Sequence, residues 1–358
     1  MRSRYLPFAD WMKAAGMAFI VWGHVAATAT YGLTPPFNLK QLGVAFFVFL
    51  TGFTLAREQR PRFRVVFNRY FEVFAFGLAF AVVMSLVGLT FWDDTNPSNF
   101  LPLAGGLHLI ANAFPANPTT WYIGTYLHLL LLWALVLRGR TIGGTTLAIA
   151  IPVEIGVRAG AMLLFGSYVA YMLLSNWIGV LLLGLMVGRG STEDQGASDG
   201  PRRGWSSAGA AVAFVLAWPL ALNTLGWRMS FPFMTVAGLT APLNALVVST
   251  CVSTAYLAYT LSGYALLGQL PANAVVRFFA RNTVVVFIAH MPLYYLLEHL
   301  FRDPIPNYTM RVGLEFVLCY GGLAAASEVL RHIIRPHILR DRAIALFHLS
   351  PDERVSTN

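Results

Sequence analysis

Lys13 and His24 stand within one apolar run, DWMKAAGMAFIVWGH. An ionisable side chain near the middle of a bilayer costs at least ~2.5 kcal/mol, so each such residue is a candidate for function. Eleven positions separate the two, and at about 100° per residue they return to within about 20° of the starting face. The spacing predicts that Lys13 and His24 line one helix face, roughly 16 Å apart along the axis. Lys13 falls near the end where the chain begins, and His24 lies past the middle of the span. Such a face suits the passage of a long charged ligand. Imidazole is the side chain whose ordinary pKa best suits removing a proton from a hydroxyl near neutral pH. The same spacing admits a plainer reading, with Lys13 as a snorkelling anchor and His24 hydrogen-bonded inside a bundle.

A second run, QLGVAFFVFLTGFTLARE, leads into a cluster of Arg57, Arg60, Arg62, Arg64 and Arg69. Guanidinium matches phosphate oxygens in a two-pronged fashion, so the cluster is a candidate phosphate site for a nucleotide-like donor. It is also what an ordinary positively charged loop looks like. Gly52, among aromatics, reads as a close helix contact. Trp121 and Tyr122 fit an interfacial aromatic belt or a platform for an acceptor. Glu154 and Arg158 are spaced to pair at i, i+4, and Arg69 and Glu72 at i, i+3. Glu298, Glu315 and Glu328 are placed to neutralise nearby arginines, and His128 reads as a bundle histidine. His108 lies in a short segment where it could touch an acceptor.

Together these runs resemble the acyltransferase 3 family of membrane acyltransferases. That family typically has an arginine, ten intervening residues and a histidine in its first helix, then a second helix reading FF-x-LSGF. Lys13 stands where the family has arginine, His24 matches the histidine, and Phe46, Phe47, Gly52 and Phe53 match the second motif, with Thr51 for the usual serine. FNRYF at 67–71 is similar to the family's Arg-rich start of helix three, with Arg69 retained. RNTVVVFIAHMPLYY at 281–295 is similar to its late segment, with His290 at the histidine. Lysine at position 13 keeps the charge but not the planar fork of arginine. WYIGTYLHLLLLW at 121–133 lacks the acidic pair that many members carry there.

The resemblance implies transfer of an acyl group, most simply acetyl, from cytoplasmic acyl-CoA to a hydroxyl of an envelope glycan or glycolipid. It implies His24 and His290 as the catalytic residues and no metal. Lys13 and Arg57, Arg60, Arg62, Arg64 and Arg69 would attract the CoA phosphates, and Trp121 and Tyr122 would contact the acceptor. Two other classes stay open on the residues alone. One is a transporter or flippase of acyl groups or glycolipids without transfer chemistry. The other is a membrane subunit that docks a partner complex.

The elements that must position these residues are transmembrane helices. The chain of 358 residues is 57% hydrophobic and 11% charged, with a mean hydropathy of +0.61. A soluble domain is about 25% charged, so lipid rather than a water-soluble core must cover this apolar excess. The net charge of +9 is compatible with nucleic-acid binding only if the basic residues share a soluble face. Here they sit between apolar runs, which excludes that class. Cys251 and Cys319 fall inside such runs and imply no disulfide framework.

At roughly 17–25 apolar residues per span, ten helices are predicted, at 9–29, 40–56, 67–91, 120–137, 141–158, 172–188, 205–222, 236–266, 280–300 and 310–331. The eighth is long enough to tilt or kink near Pro242. Residues 101–114 are too short to span and read as a re-entrant or interfacial piece. The opening residues resemble a leader with a small-residue site at Ala27-Thr28-Ala29; Asp10, Lys13 and His24 instead favour a retained helix. With the first residues cytoplasmic, only Lys40, Arg158, Arg228, Arg302 and Arg311 of the 25 basic residues face outward. Cytoplasmic loops collect Lys and Arg, so both termini are expected inside. STEDQGASDGPRRG at 191–204 reads as a flexible cytoplasmic linker within one transmembrane domain, residues 1–358.

Overall fold

The computed structural model describes residues 6–26, 39–91, 106–109, 121–193 and 238–346. All regular structure among them is helical. The elements are α1 (Pro7–Val25), α2 (Leu39–Leu55), α3 (Arg62–Phe91), α4 (Trp121–Leu132), α5 (Gly144–Met172), α6 (Ile178–Glu193) and α7 (Ala241–Leu267). They continue as α8 (Ala274–Arg281), α9 (Thr283–Phe301), α10 (Tyr308–Phe316), α11 (Leu323–Ile334) and α12 (Pro336–Leu346). A π-helical turn over Trp133–Leu137 extends α4, and another over Val317–Gly322 joins α10 to α11.

Among the described residues, four helical stretches are long and apolar enough to cross a membrane: Gly144–Met172, Ala241–Leu267, Thr283–Phe301 and Tyr308–Ile333. Shorter apolar helices cover Lys40–Leu55, Trp121–Leu137 and Ile178–Gly190. Nine of the ten predicted spans coincide with helices; the seventh, 205–222, lies outside the described residues. So do residues 194–204 of the linker and all of 101–114 except a short turn at 106–109.

Three of the departures from expectation have a plain local reason. The fifth helix does not stop at Arg158 but runs on to Met172, because Arg158 is neutralised inside the bundle by Glu154 at 2.5 Å. Its backbone breaks helical geometry only at Gly166, at φ 84°, where the absent Cβ removes the penalty. Pro242 produces no kink: it sits in the first turn of α7, where its missing N–H is an orphan in any case. The ninth span is interrupted at Asn282, whose buried amide donates to the Phe278 carbonyl and to Glu328 and accepts from Ser327.

The centre of the bundle is α1, packed against α2, α7, α8, α9 and α10. Apposed glycines let the backbones approach. A Cβ on Gly43 of α2 would collide with the Gly16 carbonyl of α1. One on Gly184 of α6 would collide with the Phe49 carbonyl of α2. Small residues at such crossings substitute van der Waals contact for a hydrophobic drive that lipid does not supply. By contrast, Ile149, Val153, Val157, Leu163, Leu164 and Phe165 of α5 are exposed, the pattern of a face meant for lipid.

Candidate functional site

A cavity of about 440 Å³ opens between α1, α2, α3, α4, α8, α9 and α11. It lies at the end of the bundle where α1 begins. Four cations line it: Lys13, Arg69, Arg281 and Arg331. One carboxylate, Glu72, lines it as well and pairs with Arg331 at 2.9 Å. The rest of the wall is largely apolar and aromatic, with Thr51, Thr54, Thr283, Tyr122 and Tyr126 adding hydroxyls. Arg69 is fixed by a 2.8 Å hydrogen bond to Thr54 Oγ1 and lies 3.7 Å from Glu58. Glu58, in the turn between α2 and α3, is held down to about 2, first by its hydrogen bond from Arg60. It therefore stays ionised beside Arg69.

The inner wall of the cavity leads to the histidines. Tyr122 meets Phe287 at 5.2 Å between ring centroids, and Phe287 meets His290 at 6.0 Å. His290 and His24 then face each other at 5.1 Å, tilted by 50°. The two residues are 266 positions apart in sequence and share one site because α9 packs along α1. His290 Nδ1 lies 2.7 Å from the Phe287 carbonyl oxygen and 3.1 Å from that of Val286. Both neighbours are acceptors, so Nδ1 carries the hydrogen and Nε2 carries the lone pair. His290 Nε2 is buried and has no hydrogen-bond partner among the described residues. A buried imidazole lone pair without a partner among the described residues can receive a proton or a hydroxyl hydrogen bond.

Of the predicted phosphate-site arginines, the cavity takes Arg69 alone. The Arg57 guanidinium stacks 4.6 Å from the Phe53 ring centroid, and its Nε donates to the Gly188 carbonyl. Arg60 is occupied by Glu58 at 2.7 Å. Arg62 donates to the Ala134 carbonyl and lines a separate hollow beside the end of α4. Arg64 is not part of the cavity wall. Tyr122 faces the cavity, whereas the adjacent Trp121 packs on Tyr171 at 4.9 Å and Trp177 at 6.4 Å.

Three charged cavity residues were not singled out for this site. Arg281 and Arg331 read only as topology-setting charges, and Glu72 as a partner of Arg69; its observed partner is Arg331, 259 residues away. Nothing in local spacing reports such a meeting. Tyr126 carried a readable signal, since it follows Tyr122 by four residues and so shares its face. Lys13 and His24 occupy the shared face that their spacing predicted, with Lys13 in the cavity and His24 beyond its inner end. Among the described residues no group of three or more His, Cys, Asp or Glu is placed to hold a metal ion.

No curated protein and no solved structure matched the chain. A family model did: the acyltransferase domain of the acyltransferase 3 type matches residues 6–327, nearly the whole length, and spans both histidines and every residue lining the cavity except Arg331. The chain belongs to the acyltransferase 3 family and is an acyltransferase, transferring groups other than aminoacyl groups.

Proposed function

We propose that this protein moves an acyl group, acetyl in the simplest case, from cytoplasmic acyl-CoA to a hydroxyl of an envelope glycan or glycolipid. It does so as a ten-span protein of the inner (plasma) membrane with both termini in the cytoplasm. The observation that carries this reading is a cation-lined cavity whose wall residue Phe287 is in ring contact with one of two facing histidines. Acyl-CoA carries several phosphates and a long, slender pantetheine arm. Lys13, Arg69, Arg281 and Arg331 supply positive charge where the phosphates would rest. The largely apolar stretch past Phe47, Tyr122 and Phe287 accommodates the arm and brings the thioester toward His24.

The acceptor reaches the histidines from the opposite end. A sugar hydroxyl is a weak nucleophile at neutral pH, and His24 removes its proton as it attacks the thioester carbonyl. The Nε2 lone pair of His290 accepts a hydrogen bond from the acceptor and fixes its orientation. The bilayer keeps the charged donor on one side and the glycan on the other. Release of free CoA by the purified protein, measured over a panel of acyl-CoAs and acceptor sugars, tests the reading. Acceptor-dependent thiol release is expected. Acyl-CoA binding without any thiol release would point instead to a transporter.

A further inference from the structure

The antiparallel register of α1 and α2 brings a charged residue to the histidine pair. Phe8 meets Phe53 at 5.0 Å between centroids, and a Cβ on Gly43 would touch the Gly16 carbonyl and Ile20. Positions on the two helices whose numbers sum to about 60 therefore lie level. By that register Lys40 stands level with Ile20 and Val21, about one turn short of His24. One turn is about 5.4 Å, a gap that the four-carbon lysine stem spans. The faces agree as well. Ile20 points at Gly43, His24 follows Ile20 by four residues, and Lys40 precedes Gly43 by three, so both polar groups lie on the α1–α2 seam. Lys40 is half-buried there and close enough to act electrostatically on both His24 and His290.

Among the described residues, two imidazoles and an ammonium gather at this point of the bundle, and acyl transfer generates a negative charge for the ammonium to meet. Preorganised positive charge aimed where an anion develops lowers the barrier because it stabilises the transition state more than the neutral ground state.

We propose that the Lys40 ammonium stabilises the oxyanion of the tetrahedral intermediate formed beside His24 and His290. The assignment rests on the acyl-transfer reading above and adds the residue that carries its electrostatics. The acceptor oxygen attacks the acyl carbonyl carbon while His24 takes its proton. The carbonyl π pair moves onto oxygen, which becomes the oxyanion facing Lys40. On collapse that pair re-forms the C=O bond, the C–S bond breaks, and the thiolate leaves with the proton held by His24.

The test uses the full-length protein in detergent and two acyl donors. Acetyl-CoA reports the proposed donor through thiol release. p-Nitrophenyl acetate carries an activated acetyl group without CoA and reports the histidine pocket alone. Lys40→Gln should lower kcat on both by about 10²-fold, the loss typical of one oxyanion contact, with KM for each donor and for the acceptor changed less than twofold. Lys40→Arg keeps the charge and should restore most of the activity, which also shows that the site tolerates substitution. A p-nitrophenyl acetate loss in Lys40→Gln with no acetyl-CoA turnover in any variant would keep the oxyanion assignment and reject the CoA donor. A raised acceptor KM with unchanged kcat would overturn it and make Lys40 an acceptor-recognition residue. Equal rates for wild type and Lys40→Gln on both esters would overturn it outright.

Discussion

His24 and His290 illustrate how much a single side chain's surroundings decide. His290 is locked by two backbone carbonyls into one tautomer, and its remaining lone pair has no partner among the described residues. His24 faces it from the central helix. A general base contributes about 10²–10⁴-fold in rate, so His24→Gln, which keeps hydrogen bonding but cannot take the proton, should lose at least 10²-fold in kcat. Retention of more than about a tenth of the turnover would make His24 structural. His290→Ala should act mainly on the acceptor KM, and the two signatures measured side by side assign the roles. At the cavity, Lys13→Ala should weaken acetyl-CoA binding by calorimetry, while Lys13→Arg retains much of it; unchanged affinity in Lys13→Ala would reduce Lys13 to a membrane anchor. Glu72→Gln should do the reverse. It removes the one lining carboxylate and frees Arg331 for a phosphate, so donor affinity should rise by about fivefold, the ~1 kcal/mol of a partly exposed charge pair. Weaker binding in that variant would show that Glu72 positions Arg331 rather than competing for it.

At the scale of elements, glycine spacing and one buried ion pair set the helix arrangement. A Cβ at Gly184 meets the backbone of α2, whereas one at Gly156 of α5 meets open space. Gly184→Ala should lower the unfolding midpoint in detergent, by the 1–3 kcal/mol typical of an overpacked contact. Gly156→Ala should leave it unchanged or raise it slightly. A similar result for both would mean that α2 and α6 are not held at close approach. The Glu154–Arg158 pair is only 3% exposed on each side chain and is supported by Ser249, Ser253, Asn176 and the Gly179 N–H. Arg158→Met strands Glu154 and should cost about 3–5 kcal/mol, whereas Glu154→Leu combined with Arg158→Met should recover most of it. The i, i+4 spacing made this pair legible in the sequence. Its depth was not, which is why the helix was expected to end at Arg158 rather than run on to Met172.

Across the whole molecule, topology is the statement with the widest consequences, because it fixes the side from which the donor arrives. Single cysteines placed at 196–200 and at 350–356 should label from the cytoplasmic face only, as the uneven distribution of Lys and Arg requires. Periplasmic labelling of either would reverse the orientation and with it the donor side.

The sequence by itself determined that the protein is helical and built for lipid, since an apolar excess and span-length runs have no other solution in water. It determined the Lys13–His24 face, because helical periodicity alone relates two positions eleven apart. Motif order also made the family legible. Only the tertiary structure decided which basic residues share a cavity. Arg57, Arg60 and Arg62 stand near Arg69 in the chain yet are held elsewhere by Phe53, Glu58 and the end of α4, while Arg281 and Arg331 arrive from more than two hundred residues away. The same holds for Glu72 with Arg331 and for Lys40 with the histidines. Periodicity fixes which face of a helix a residue occupies, but which faces meet depends on where backbones can approach. Here that is set by small residues such as Gly16, Gly43, Gly52 and Gly184, whose consequences appear only once the helices are packed.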